Sequence, residues 1–589
     1  MKILFFSPHA YFSVHALPEA LVAESLVIKG HEIITVNCNG LYKKHCLCMP
    51  GIRYSNHKEK KKICISCKKN KKNIIKEFGF TSIDIGDFIT ENEFEIVNDL
   101  KCTINREDFL GFEIENIPIA KYSLYEFWLN HKLSSPQIEI ELWDEYLAIL
   151  ENSLLTYYAM RRILQIKSPD RITTYNALYS VNRITCAIAD SMLIPHFNLH
   201  AGSHHKRRLQ QMTIFRGIDN HLNINRLSIV EKYRQSACSE MQIMMVNEHV
   251  RELFNATSPW VYSIKSNKMK SIDLLERFKV KSSQKVLLAV MRSNDERLAA
   301  KMSGVSHFDA FPIFENQITW LFWLVEFTKK NPEFVVIFRI HPREFKNKRE
   351  NKLSKNAIVL KEVLDKLETS NNFHINLPDD KISLHDLLKI TDVLLNNSST
   401  AGLEGSLFGI PVVGIGDELY SFDLTLQEEP DSIEEYTEKI RLAANQGWQF
   451  NRVVTAYRWL NYLNSEVSID ISDGYKITSD SKNRIRRVLD QLKSIVKDHL
   501  DLKYRIHEVI NRARPLKNIQ KLTYAILNDK SSHIGSFPID DIGDYLLEQK
   551  QIAKNYKSIM ESICDPQDDL FRSKFELCSA LEVPKVCSM

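Results

Sequence analysis

Short apolar runs recur along most of the chain, each closed by a polar or small-residue loop. They are KILFFS (2–7), HEIITVNC (31–38), the strand-plus-loop PDRITTYNALYS (169–180), HFNLHAG (196–202), the start of KVLLAVMRSNDE (285–296), FVVIFRIHPRE (334–344), TDVLLNN (391–397) and IPVVGIG (410–416). They lack the apolar–polar alternation of a half-exposed strand, so they read as strands covered on both faces. Stretches of helical period lie between them: about 17–29, stopped by Gly30; an amphipathic span at about 137–165; VNRITCAIADSMLIP; the aromatic ITWLFWLVEFTKKN; and SLHDLLKI, opened by a capping-box pair of Ser383 and Asp386. Strand and helix in alternation predict α/β architecture with parallel, doubly wound sheets. Residues 220–280 read as mainly helical and polar, and the pattern after Asp417 is helical through 463.

The chain has 589 residues, too many for one core. The alternation divides it into a first Rossmann-like half over 1–275, a second over 276–475, and a polar, helix-rich tail over 476–589. Composition is that of a globular protein, 44% hydrophobic and 26% charged, and a net charge of +4 over this length does not call for nucleic acid. No apolar run reaches the roughly 18–20 residues of a membrane span, and MKILFFSPHA reads as a first strand rather than a leader. Eleven cysteines without a secretory signal imply reduced thiols and a cytoplasmic setting.

The most informative run is NNSSTAGLEGSLFGIPVVGIGD, 396–417. It reads as strand, turn, helix, strand, with Ser398, Ser399, Thr400 and Gly402 at the turn, Glu404 just inside the helix and Gly409 ending it. Unpaired N–H groups at a helix start suit a phosphate. The plain alternative is a crossover whose hydroxyls are only caps. Upstream, the strand in FVVIFRIHPRE ends in Arg339, His341 and Arg343 around Pro342, and the strand in KVLLAVMRSNDE ends in Arg292, Ser293 and Asn294. Cations and an imidazole at strand ends suit a phosphate or a sugar carboxylate.

In the first half, the loop after the first strand carries His9 and His15, with Pro18 and Glu19 at the helix start. It lacks GxGxxG, so it is no dinucleotide fingerprint. Loops behind the later strands place Asn176, Tyr179, His200 and Gly202 near the same crevice. The following HHKRRL segment is either part of that crevice or a solvated surface. Residues 38–76 interrupt the pattern with Cys46, Cys48, Cys64 and Cys67 among many lysines. The four thiols suit a structural zinc; the alternative is a basic, solvated insertion with incidental cysteines.

Two α/β halves with these loops resemble a GT-B glycosyltransferase, two Rossmann-like domains facing a cleft, here with a helical C-terminal extension. FRIHPRE followed by NNSSTAGLEGSLFGIPVV resembles the HP and Ser-Ser/Thr motifs of bacterial capsule and surface-polysaccharide transferases, among them Kdo transferases, polysialyltransferases and CDP-glycerol polymer transferases. The resemblance implies that His341, Ser398, Ser399 and Thr400 hold a donor phosphate, commonly of a cytidine nucleotide, with Glu404 nearer the ribose or sugar. His15-Ala-Leu-Pro18 is similar to the GT-B spacing in which the histidine is the acceptor base; Glu19 and His9 are the reserves. Imidazole is suited to that role at physiological pH.

The expectation is therefore a transferase moving a sugar, by this resemblance a CMP-linked acidic one, to a glycan or glycoconjugate. No metal or other cofactor is required for the chemistry, and nucleic acid is not expected as a partner. A polyol-phosphate transferase or a sugar-nucleotide epimerase on the same scaffold is the alternative, and a zinc-stabilised nucleic-acid-binding protein a third. The basic run KNRIRRVLDQLKSIVKDHL either touches the inner face of a membrane peripherally or packs on the protein.

Overall fold

The computed structural model describes residues 1–51, 57–218, 236–258, 260–305, 313–347, 352–415, 426–472, 475–476, 511–512, 519–530 and 544–573. The basic run at 482–500 and the end of the 396–417 stretch lie outside them.

Every strand expected from the apolar runs is present. The first sheet contains β1 (Lys2–Phe6), β2 (Glu32–Asn37), β3 (Thr81–Asp84), β4 (Arg171–Tyr175), β5 (His196–Ala201) and β6 (Gln211–Arg216). The second contains β7 (Lys285–Val290), β8 (Phe334–Arg339), β9 (Phe373–Asn376), β10 (Val393–Asn396) and β11 (Val412–Gly414). A short β12 (Ile469–Asp470) completes the first sheet, in the order β12-β6-β5-β4-β1-β2-β3; the second runs β11-β10-β7-β8-β9. The second sheet is parallel throughout. In the first, β6 turns back antiparallel on β5, and β12 pairs antiparallel with β6.

Both sheets are covered on both faces, which is why their strands show no alternation. In β1, Leu4 and Phe6 pack with the helix Ile140–Lys167, while Ile3 and Phe5 pack with the helix Ser13–Ile28. In β7, Val286, Leu288 and Val290 face one core, Leu287 and Ala289 the other. Gly409 ends the helix Ala401–Leu407 as expected: its φ is +73°, and a Cβ there would stand 2.3 Å from Trp448 Nε1.

The chain does not leave the second half for good. The helix Phe450–Tyr462 leads to β12, which rejoins the first sheet through Ile469 opposite Met212. The C-terminal extension then docks on both halves. Ile519, Leu522 and Ile526 join the core under the helix Ser13–Ile28, and the helix Tyr545–Ile563 packs against the second half's first core. Glu548 on that helix accepts from Cys238 N–H at 2.7 Å and from Arg458 Nε at 3.0 Å.

Two buried basic side chains of the first half reach into the second. Arg183 Nε donates to Ser303 O at 2.8 Å, and Lys132 Nζ donates to Arg343 O at 2.6 Å and Lys352 O at 3.1 Å. Lys132 is fully buried, so its charge is held by carbonyls rather than water.

Candidate active site

Each sheet reverses its winding once, between β1 and β4 in the first and between β7 and β10 in the second. Crevices for ligands open at the carboxyl ends of strands at such points. A hydrogen bond spans each reversal. His15 Nδ1 lies 2.6 Å from Tyr175 Oη, joining the loop behind β1 to the end of β4. Arg292 Nη1 donates to Ser398 Oγ at 3.0 Å, joining the loops behind β7 and β10.

In the second half, Ser398 sits at φ +48°, a left-handed turn that lifts its hydroxyl toward Arg292. Ser399 is buried and caps locally: its Oγ accepts from Ala401 N–H at 3.3 Å, and its carbonyl from Gly402 N–H at 3.1 Å. Thr400 is exposed and its side chain caps nothing. The helix that follows has only 7 residues, so its dipole is weaker than the sequence argument assumed. Next to Ser398, Asn397 is fully buried, and neither of its side-chain polar atoms has a hydrogen-bond partner among the described residues.

His341 opens the short 3-10 turn Pro342–Glu344, and its Nδ1 accepts from Arg343 N–H at 3.2 Å. That bond places the ring proton on Nε2, so a neutral His341 presents a donor. Burial, reinforced by the neighbouring Arg343, pushes its pKa down to about 3, so the ring is neutral at physiological pH. Tyr262 stands edge-on to it at 5.8 Å between ring centres.

Three residues are turned away from the expected ligand. Arg343 is locked on Asp295, Nε to Oδ2 at 3.0 Å and Nη2 to Oδ2 at 2.8 Å, and also donates to Tyr262 Oη at 2.6 Å. Arg339 is buried and bonded to the Asn376 side chain and to Ile382 O; burial lowers its pKa to about 10. Glu404 is buried against His385, Oε2 to Nε2 at 2.7 Å, so it faces an imidazole rather than a ribose. The sequence placed it correctly at a helix start but could not see His385, which comes from the preceding helix. Ser293 and Asn294 likewise serve the turn: Ser293 Oγ donates to Asp295 Oδ1 at 2.5 Å, and Asn294 N–H to Glu344 Oε1 at 3.4 Å.

In the first half the helix begins at Ser13, four residues earlier than its pattern suggested, so His15 lies in its first turn and Pro18 inside it. His15 is partly exposed. Burial, and then the positive charge of Arg208, lower its pKa to about 4. His200 stacks on the same Tyr175 at 6.0 Å between ring centres, and Arg208 lies over Trp260 at 5.0 Å. Glu19 is buried, accepting from Ser7 Oγ at 2.5 Å, and burial raises its carboxyl to about 7 against the opposing pull of Lys71. His9 points at the cysteines, with Nδ1 3.6 Å from Cys46 Sγ.

The remaining residues of this crevice are structural. Asn176, at φ +57°, caps its own turn by accepting from Leu178 N–H at 3.2 Å. Tyr179 packs edge-on to Tyr125 at 5.4 Å, just before Ser180, whose N–H donates to the buried Glu126 at 2.9 Å. Gly202 is required by packing, since a Cβ there would lie 2.3 Å from Gln211 Cβ across the β5–β6 hairpin.

The Cys/Lys segment is not a loose insertion. His57–Phe78 is one 22-residue helix, with Cys64 and Cys67 one turn apart on it. The expected pairing of Cys46 and Cys48 with both of them is not what the fold produces. Ligating atoms of His9, Cys46 and Cys48 lie within 4.8 Å of one another, while Cys67 Sγ accepts from Ala10 N–H at 3.2 Å. A hydrogen bond between the two thiols holds the Cys46 pKa well below the usual thiol range and pushes that of Cys48 well above it. A cavity of about 600 Å³ opens here at the carboxyl ends of β1, β2 and β3, lined by His9, Cys46, Cys64, Cys67, Lys68 and Asp84 among others.

Two Rossmann-ordered sheets, with the chain returning from the second to complete the first, define the layout. The fold is GT-B. No protein-family model matches the chain, and no curated protein matches it. Among solved structures it is similar to KpsC, a beta Kdo 2,4 transferase of Thermosulfurimonas dismutans, at 12% identity over 52% of this chain and 83% of that one, with a TM-score of 0.29. It is also similar to the UDP-GlcNAc 2-epimerase of Neisseria meningitidis bound to UDP-GlcNAc, at 11% identity over 79% and 96%, TM-score 0.24. A third is the glycosyltransferase SnogD of Streptomyces nogalater, at 10% identity over 78% and 94%, TM-score 0.21.

Tyr175, Tyr262, Lys132 and Asn397 were not singled out by the sequence. Tyr175 closes an ordinary strand, and Lys132 ends a helix of the other half. Only Asn397 carried a local signal, the paired asparagines at the close of an apolar strand. Among the described residues no helix is long and apolar enough to cross a membrane.

Proposed function

We propose that this protein is a nucleotide-sugar-dependent glycosyltransferase, with the donor held by the second half and the acceptor approaching from the first. The observation that carries the reading is the pair of bridged switch points, Arg292–Ser398 and His15–Tyr175. Arg292 and the Ser398 hydroxyl supply a cation and a donor at the crevice where a nucleotide phosphate would lie. His341 adds a neutral Nε2–H donor to a leaving phosphate oxygen, a contact that strengthens as that oxygen gains charge in the transition state.

Of the three candidate bases, His15 suits the role best. Glu19 is buried behind its helix and bonded to Ser7, and His9 faces the thiols. With Nδ1 donating to Tyr175 Oη, the Nε2 of His15 is left to accept a proton from an acceptor hydroxyl as its oxygen attacks the anomeric carbon. A donor with a CMP-linked acidic sugar and a surface glycan as acceptor is the finer reading, supported by the HPR and NNSST sequences. Association with a membrane surface is part of the same proposal.

The test is a thermal-shift panel of CMP, CDP, UDP and GDP, followed by turnover of the matching nucleotide sugars in the wild type and in His341→Ala. One nucleotide should raise the melting temperature, since a ligand of the folded state adds stability with the logarithm of its excess over Kd. His341→Ala should lose about 10²–10³-fold in kcat with its melting temperature retained. Undiminished turnover in that variant would remove His341 from the site, and turnover of CDP-glycerol or epimerisation of a UDP-sugar would move the chain to another reaction.

A further inference from the structure

The cavity behind β1, β2 and β3 lies outside the two switch points, and the proposed transfer uses none of it. Its wall brings together residues far apart in sequence. His9 comes from the loop behind β1, Cys46 from the segment after β2, and Cys64, Cys67 and three lysines from the helix His57–Phe78; Cys48 lies behind the wall, beside Cys46.

The spacing inside the cluster is that of ligands around one ion. His9 Nδ1 and Cys46 Sγ are 3.6 Å apart, and the three ligating atoms of His9, Cys46 and Cys48 all fall within 4.8 Å. A tetrahedral zinc with Zn–N of about 2.0 Å and Zn–S of about 2.3 Å sets its N–S edge at ~3.5 Å and its S–S edge at ~3.8 Å. One imidazole nitrogen and two thiols are soft donors that favour zinc over magnesium or calcium. The Nε2 of His9 is buried and has no hydrogen-bond partner among the described residues.

We propose that His9, Cys46 and Cys48 hold a zinc ion whose fourth coordination position opens toward the cavity. The ion ties the segment after β2 to the loop behind β1. His9 and Cys46 line the cavity themselves, so the open position faces Lys68, Lys71 and Lys72. An open zinc among ammonium groups suits an anionic oxygen ligand, a carboxylate or a phosphate. The assignment revises the four-thiol set read from the sequence, because among the described residues the ligating atoms that fall within 4.8 Å of one another are those of His9, Cys46 and Cys48. It does not depend on the transferase reading.

The test uses the full chain, purified under reducing conditions without chelator. Elemental analysis should find about one zinc per chain, which Cys46→Ser and Cys48→Ser each reduce by roughly tenfold or more. Cys102→Ser, an exposed thiol on another helix, should leave it unchanged. Cobalt(II) added to the metal-free wild type should give thiolate-to-cobalt charge-transfer absorption and the strong visible bands of a tetrahedral site, a readout that does not depend on the variants folding. Acetate or inorganic phosphate should then perturb the visible bands through the open position. Zinc retained in the Cys46→Ser/Cys48→Ser double variant would overturn the proposal. So would iron with inorganic sulfide in place of zinc, or a wild type that neither carries zinc nor binds cobalt. Visible bands indifferent to both anions would overturn the open position.

Discussion

Arg292 Nη1 donates to Ser398 Oγ at 3.0 Å across the winding reversal of the second sheet. Neither residue is on a helix or strand; each lies just past a strand end, and the parallel pairing of β7 with β10 brings the two loops together. Arg292→Ala should raise the Kd for the cognate nucleotide by about tenfold or more, measured calorimetrically, since a charge-assisted phosphate contact is worth roughly 1.5–3 kcal/mol. Arg292→Lys should recover little of it, because an ammonium cannot reproduce the planar fork. Wild-type affinity in the alanine variant would place the phosphate elsewhere.

The His15–Tyr175 bond leads to a pH profile. Burial and Arg208 set the His15 pKa at about 4, so its neutral, proton-accepting form persists well below the usual imidazole range. The acid limb of kcat/KM should therefore fall near pH 4 rather than near 6.5. Tyr175→Phe frees the ring and should lower kcat by at least tenfold, with a smaller effect on KM. A limb near 6.5 in the wild type would indicate a different base.

Glu19 offers a stability measurement. Its carboxyl is raised by burial to about 7, above the 4.5 of an unburied side chain. Between those values the folded chain keeps a proton that the unfolded chain releases. Stability attributable to this group is therefore full below pH 4.5, falls as pH rises to 7, and is flat above. Glu19→Gln removes that slope, so urea unfolding should show the variant gaining on the wild type at pH 8 relative to pH 5. An equal difference at both pH values would mean that the carboxylate is charged and held by Lys71.

Lys132 is a prediction about the junction of the halves. Its ammonium satisfies the carbonyls of Arg343 and Lys352, and the first of these lies two residues from His341. Lys132→Met leaves both carbonyls without that donor and should cost about 2 kcal/mol in unfolding free energy. Because the same bond anchors the His341 turn, KM for the donor should rise as well. A loss of stability with unchanged kinetics would confine Lys132 to holding the halves together.

Much of the fold was legible because strands buried on both faces must be apolar throughout, and such runs stand out between polar loops. What escaped was β3 and the β6–β12 edge of the first sheet, and β9 in the second. In β6, QMTIFR follows a His-rich, basic loop and pairs antiparallel with β5, and β12 is only two residues long, so neither gives a strong local pattern. The C-terminal extension read as a polar tail because each helix there buries a single apolar face against residues hundreds of positions away.

Local sequence alone sufficed for the strand–helix alternation, the winding into two α/β halves and the positions of the loops bearing Arg292, His341, Ser398 and His15. These follow from local periodicity and from the chain's need to cover both faces of a parallel sheet. Packing then selected which of those polar side chains stay at the crevice and which bond each other. Arg339, Arg343 and Glu404 looked available until Asn376, Asp295 and His385 arrived from other elements to bond them. The same holds for the thiols, where the loop behind β1 brought His9, rather than Cys64 or Cys67 on the helix over 57–78, into the group with Cys46 and Cys48. Burial leaves a polar group to pair with whatever the fold places beside it, and that neighbour is set by packing rather than by sequence distance.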